Sequence, residues 1–149
     1  MNENEIELDL RKEKTEKEKQ KLRNMNTTAL AYMGDAVYES RIREMLLRTR
    51  PLDIGHIHHE AVQYVSSDGQ ATAIKSMMKN FLTEEEIRLV KRARNRRMTS
   101  RPKNANPRKY KLATGFEALL GYLYLARETD RLNAVMNEAI RVIEEDKHE

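Results

Sequence analysis

Two long apolar stretches, each carrying a single carboxylate, constrain the fold of this chain more than any other feature. Of its 149 residues, 35% are charged, yet residues 27–38 contain one charge, Asp35, where about four are expected at that frequency. Residues 112–126 likewise contain one charge, Glu117, where about five are expected. The apolar residues surround each helix rather than following one stripe, so both segments are predicted to be central, buried helices.

The remaining composition favours an all-α fold. The chain has only 5 Gly and 3 Pro, and no long alternating runs of β-branched residues. It has no Cys, which excludes a disulfide framework and a thiolate metal site and fits a reducing compartment. No segment has the pattern of a signal peptide or a membrane span. We therefore expect a soluble, cytoplasmic helical protein.

Capping residues and helix breakers divide the chain further. Residues 1–24 contain seven acids and seven bases. They are predicted to form a charged, loosely attached extension that is helical or disordered. The domain itself is predicted to span 25–149. Asn26, Asp53 and Thr83 are candidate N-caps, the last in a capping box with Glu86. "SSDG" and residues 99–110 are predicted to interrupt the helices. Helices are predicted at 27–48, 54–65, 70–81, 83–97, 112–127 and 130–145.

The two isolated carboxylates have two possible explanations. A buried carboxylate without a partner is costly and tends to become protonated. If the two apolar helices pack together with their acids converging, a shared Mg²⁺ would balance both charges, because Mg²⁺ prefers oxygen ligands. Alternatively, each acid pairs separately with an arginine or caps a neighbouring helix. The residue pattern alone leaves both explanations open.

The basic residues are concentrated in one part of the sequence. Residues 88–111 contain 11 Lys and Arg and no acid, which leaves 17 bases against 24 acids, a net charge of −7, in the rest of the chain. Such a segment on an acidic body is typical of a protein that binds a polyanion at one place. Candidate contacts to such a polyanion are Arg94, Asn95, Arg97, Arg101, Lys103, Arg108 and Lys109. A solvated charged surface is the alternative.

Two motifs resemble those of the ribonuclease III family. "YMGDAVYE" at 32–39 is similar to the family signature with the core FLGDAV, and "FEALLGYLYL" at 116–125 is similar to its partner motif FEALLGAIYL. The two motifs occur in the family's order and at its separation of about eighty residues. The similarity extends from residue 26 to the C-terminus, and no double-stranded-RNA-binding domain follows. The chain therefore resembles the compact Mini-III branch.

The resemblance assigns roles to individual residues. The family's metal-binding Asp and Glu correspond to Asp35 and Glu117, which it implies are the catalytic residues and the ligands of Mg²⁺. Other family acids are replaced by Thr28, Ala31 and Thr114. Weak Mg²⁺ binding in the absence of RNA is therefore expected. The Thr114 hydroxyl is a candidate for orienting a metal-bound water.

The implied activity is Mg²⁺-dependent hydrolysis of double-stranded RNA by a homodimer, leaving 5′-phosphate and 3′-hydroxyl ends. Ribosomal RNA precursors of the 23S type are the implied substrates. A catalytically inactive module that binds RNA or the ribosome is the main alternative, because two carboxylates are replaced. A basic helical interaction protein without an active site is a third possibility. His56, His58 and His59 do not have the spacing of a zinc site.

Overall fold

The chain folds into eight α-helices, with no strand among the residues that can be described. The computed structural model describes residues 2–11, 15–97 and 106–147. None of the helices in these ranges is long and apolar enough to cross a membrane. The all-α prediction is confirmed. The helices are α1 Glu3–Arg11, α2 Glu16–Arg23, α3 Thr27–Thr49, α4 Ile54–Val65, α5 Ser67–Asn80, α6 Glu84–Asn95, α7 Pro107–Leu125 and α8 Thr129–Lys147.

Helix α7 is the centre of the fold, and α3, α5, α6 and α8 pack around it. Every residue from Ala118 to Leu123 is buried, which covers all sides of the helix. Phe116 is fully buried and its ring meets that of Tyr38 on α3 edge to face, with 4.9 Å between centroids. The prediction of a central helix is therefore confirmed for α7, whose apolar residues form the core of the domain.

Helix α3 is buried along one side only. Its stripe of Leu30, Tyr38, Ile42 and Leu46 is fully buried against α7. On the other side the ring of Tyr32 is 83% exposed. The prediction that α3 is enclosed on all sides is therefore wrong within a single chain, because no other helix among the described residues covers its outer face.

Two glycines allow α3 and α7 to approach each other backbone to backbone. A Cβ atom on Gly34 would lie 1.7 Å from the carbonyl oxygen of Glu117, and one on Gly121 would lie 1.9 Å from that of Leu30. No side chain fits in either place, so the crossing requires glycine on both helices. This crossing fixes which residues of the two apolar helices become neighbours.

The predicted helix starts at Asn26, Asp53 and Thr83 are confirmed, and Thr83 forms the capping box with Glu86. Two other boundaries were wrong. "SSDG" does contain the predicted break, at Ser66, where α4 ends, but α5 begins at Ser67 rather than Gln70, because the Ser66 hydroxyl caps it by accepting a hydrogen bond from the backbone N–H of Gly69.

The start of α7 also differs from the prediction. The helix begins at Pro107, five residues before the predicted 112. Asn106 caps it, and proline is favoured in the first turn because that turn needs no N–H donor. The predicted interruption therefore extends only as far as Asn106 at this end, and residues 98–105 lie outside the described ranges.

The charged N-terminal extension is attached to the domain at α2. Arg23 donates a hydrogen bond of 2.8 Å to the hydroxyl of Tyr122, and Lys19 forms an ion pair of 2.5 Å with Glu128. Arg92 on α6 donates to the backbone carbonyls of Arg23 and Met25. These contacts make α2 part of the packed structure rather than a loosely attached segment.

Candidate active site

The crossing of α3 and α7 brings the two isolated carboxylates together. Gly34, against which the Glu117 backbone packs, directly precedes Asp35 in the chain. The Glu117 carboxyl lies within hydrogen-bonding reach of the Asp35 carboxyl. Asp35 is exposed and Glu117 is mostly buried. The residue pattern left open whether the two acids converge or have separate partners. In the structure they converge.

The pairing strongly perturbs the ionisation of Glu117. Burial, together with the hydrogen bond and charge repulsion from Asp35, raises its pKa from an ordinary 4.5 to about 8. A hydrogen bond from Gln70 acts in the opposite direction but is outweighed. Within the described ranges, no Lys or Arg is among the groups that shift the pKa of Glu117. A carboxyl with so perturbed a pKa is a candidate functional group.

The site suits a hard divalent cation such as Mg²⁺. Its side-chain donors are carboxylate oxygens, which such ions prefer, and a cation would offset the repulsion that raises the pKa of Glu117. Among the described residues, no cluster of three or more Asp, Glu, His or Cys could hold a metal. Two protein carboxylates are thus available, and the remaining ligands of a bound ion would be water or substrate oxygens.

Gln70 on α5 is a member of this site that the sequence did not indicate. Its side-chain amide donates to Oε2 of Glu117 at 3.3 Å and to the backbone carbonyl of Val65 at 3.0 Å. Only 2% of the residue is exposed. Nothing in the local sequence marks it, because a glutamine near a helix start is ordinarily a surface residue.

The positions where the family carries further acids are occupied differently here. Ala31 is buried against the core and contributes no polar atom. The Thr114 hydroxyl donates to the backbone carbonyl of Tyr110 at 2.9 Å, within its own helix. Its oxygen can still accept one hydrogen bond. The orientation of a water by Thr114 stays a prediction.

The cationic residues lie at the facing ends of α6 and α7. Arg97 and Arg108 are exposed, whereas Arg94 is partly buried and donates to the side-chain oxygen of Asn95 at 3.1 Å. Lys109 forms an ion pair of 2.9 Å with Asp68 on α5. Of the other predicted contacts, Arg101 and Lys103 lie outside the described residues.

The histidines have a separate environment on α4. Nε2 of His56 lies 3.1 Å from Oε1 of Glu60, whose other oxygen accepts a hydrogen bond of 2.7 Å from Nε of Arg50. His58 and His59 are exposed. This arrangement is an ordinary surface ion-pair network.

The crossing of two glycine-bearing helices beside a pair of carboxylates lies in a region that matches the Ribonuclease III domain. The family model of that description matches residues 28–128. The X-ray structure of a protein from Fusobacterium nucleatum superposes with a TM-score of 0.70 at 28% identity, covering 80% of this chain and 94% of that one.

Two named relatives make the assignment more specific. A Mini-ribonuclease 3 of Clostridium tetani is 41% identical over 83% of this chain and 82% of its own length. A Mini-ribonuclease 3 of Symbiobacterium thermophilum is 44% identical over 77% of this chain and 88% of its own. The chain therefore belongs to the ribonuclease III family of endoribonucleases, and within that family it is similar to the Mini-III proteins.

Proposed function

We propose that this protein is a Mg²⁺-dependent endoribonuclease of the Mini-III type that cleaves double-stranded RNA. The observation that carries the proposal is the meeting of Asp35 and Glu117 at one point, in a domain whose α6 and α7 carry a cationic segment. The names of the relatives, Mini-ribonuclease 3, support RNA as the substrate. We further propose that the substrates are structured ribosomal RNA precursors of the 23S type and that the protein acts in the cytoplasm.

The two acids would hold the cation. When bound there, Mg²⁺ supplies positive charge that stabilises the phosphate and lowers the pKa of a coordinated water. Asp35, on the exposed side, faces the substrate, and Glu117, on the buried side, is held by the core. Water attacks the phosphorus in line and the bond to O3′ breaks, which leaves 5′-phosphate and 3′-hydroxyl ends.

Among the predicted RNA contacts, Arg97 and Arg108 are the described cations that are exposed and have no ion-pair partner within the described ranges. They would contact phosphates, which are the accessible feature of an A-form duplex. Lys109 would have to exchange Asp68 for a phosphate. We propose that Arg94, Asn95, Arg101 and Lys103 complete this surface.

A second copy of the chain is proposed to cover the outer face of α3. That face carries Ala29, Tyr32 and Ala36, all exposed, on a helix that has few charges in this region. An exposed apolar face of this kind favours a self-complementary twofold contact. Two copies would provide one carboxylate pair for each RNA strand. Replacing Tyr32 by Glu should convert the dimer to a monomer, as measured by light scattering after gel filtration.

The test is cleavage of a perfectly paired RNA duplex by the full chain. The proposal predicts cleavage with Mg²⁺, none with EDTA, little cleavage of the separated strands, and 5′-phosphate ends. Asp35→Asn should abolish cleavage while the duplex still binds in EDTA, and Asp130→Asn, an exposed acid on α8, should behave as wild type. Duplex binding without any cleavage by the wild-type chain would favour the alternative, a catalytically inactive binding module.

A further inference from the structure

The Gln70 side chain links two parts of the fold at the candidate active site. It lies on α5, and its amide nitrogen donates both to Oε2 of Glu117 and to the carbonyl of Val65, the last residue of α4. One side chain thus connects the carboxylate on α7 to the backbone at the end of α4. It is also nearly completely buried.

The orientation of this amide follows from its partners. A backbone carbonyl and a carboxylate can only accept hydrogen bonds, so the NH₂ group must face both of them. The amide oxygen then points elsewhere, where it is buried and has no hydrogen-bond partner. An unpaired buried polar atom costs about 1–3 kcal/mol, which offsets part of what the two hydrogen bonds of the amide contribute to stability.

We propose that Gln70 is a positioning residue of the active site, which fixes one carboxylate oxygen of Glu117 so that the other is held ready for a cation. The inference rests on the proposed function. Its physical reason is the small number of protein ligands. With two carboxylates available, the orientation of each contributes more to cation binding than in a site with four. Groups that orient metal ligands through hydrogen bonds typically affect metal affinity or activity by about 10–100-fold.

The experiment replaces Gln70 with Leu and, separately, with Met, which removes the amide but keeps the volume. Gln63→Leu is the matched control, because the Gln63 side-chain oxygen is also buried without a partner. The readouts are kcat and KM for duplex cleavage in Mg²⁺, the binding of Mn²⁺ to the RNA-free protein by electron paramagnetic resonance, and the melting temperature. Mn²⁺ binding reports on the site independently of catalysis.

The proposal predicts that both Gln70 variants lose about 10–100-fold in kcat, with KM for RNA unchanged and weaker Mn²⁺ binding. Gln63→Leu should have an unchanged or higher melting temperature, since it removes an unpaired buried oxygen. The Gln70 variants remove such an oxygen too, but they also leave the Val65 carbonyl and Glu117 without a donor, so their melting temperature should be unchanged or lower. Gln63→Leu should keep wild-type kcat and Mn²⁺ binding. The Met variant provides the same test if the variant with the branched Leu side chain does not fold.

Two results would overturn the assignment of Gln70. One is a kcat and Mn²⁺ affinity within twofold of wild type in the folded Gln70 variants. The other is a lowered melting temperature with unchanged kcat per folded molecule, which would make Gln70 a structural residue. Failure of the wild-type chain to cleave the duplex would instead remove the proposed function itself, so the two failures are distinguishable.

Discussion

Replacing Glu117 with Gln should stabilise the protein at alkaline pH while abolishing cleavage. The substitution keeps the size of the side chain and removes its charge. A glutamine at 117 can accept from Gln70 through its oxygen and donate to Asp35 through its nitrogen. The repulsion between the two carboxylates then disappears. Without a divalent cation, the wild-type protein must bear that repulsion whenever both groups are ionised.

The magnitude follows from the raised pKa. Because folding raises the pKa of Glu117 from 4.5 to about 8, the folded state binds more protons than the unfolded state in this interval, and stability falls as pH rises through it. At about 1.4 kcal/mol per pH unit the full shift corresponds to at most about 5 kcal/mol. Residual access of water to a partly exposed carboxylate reduces the expected gain, to about 2 kcal/mol at pH 9.

The assay is urea unfolding in EDTA at pH 5 and pH 9. Glu117→Gln should match wild type at pH 5 and exceed it by about 2 kcal/mol at pH 9, which for a chain of this size raises the melting temperature by about 4–8 °C. Adding Mg²⁺ at pH 9 should reduce the difference by stabilising wild type. As a control, Glu84→Gln at an exposed position should not stabilise the protein at pH 9. An equal difference at both pH values for Glu117→Gln would refute the reasoning.

Three further substitutions test the fold and the RNA surface. Gly34→Ala should destabilise the domain by more than about 3 kcal/mol, because its Cβ would overlap the α7 backbone at 1.7 Å. Gly55→Ala should be tolerated, because the nearest contact of its Cβ is at 3.6 Å. Thermal melting of the two variants tests this difference. Burial raises the pKa of Glu86, but hydrogen bonds from Arg131 and Thr83 outweigh it and lower the pKa below 4.5. Glu86→Gln should therefore cost about 1–3 kcal/mol at pH 7, a loss that disappears in urea titrations as pH falls through the lowered pKa of Glu86. Arg108→Gln should reduce the slope of log binding affinity against log salt concentration by about one. An unchanged slope would exclude a phosphate contact of Arg108.

Much of the fold could be predicted because its signals are local. N-caps are short-range, so Asn26, Asp53 and Thr83 could be identified from a few neighbouring residues. The same local reasoning found the break in "SSDG" but extended it too far, because Gly69 lies inside α5 and packs against the carbonyl oxygen of Gln63, which a Cβ would approach to 2.2 Å. That glycine reflects close packing between α4 and α5 rather than a helix break, and only the folded structure distinguishes the two.

The candidate site likewise contains residues that the sequence indicated and residues that it did not. The two acids could be singled out because a lone acid in an apolar helix is conspicuous in the sequence, whereas the residue pattern left open whether they converge. Gln70 could not, because its importance depends on the burial that α5 acquires by packing against α7. The outer face of α3 could not be assigned either, since apolar residues that face a core and those proposed to face a second copy look alike in sequence.

The most direct test of the account is the position of a bound metal. Crystals of the full chain grown with a product RNA duplex and Mn²⁺ should give an anomalous peak between the carboxylates of Asp35 and Glu117, and this peak should vanish in Asp35→Asn. A cleavage-competent protein whose Mn²⁺ lies away from both carboxylates, or whose peak persists in Asp35→Asn, would contradict the assignment of these two acids as the metal site.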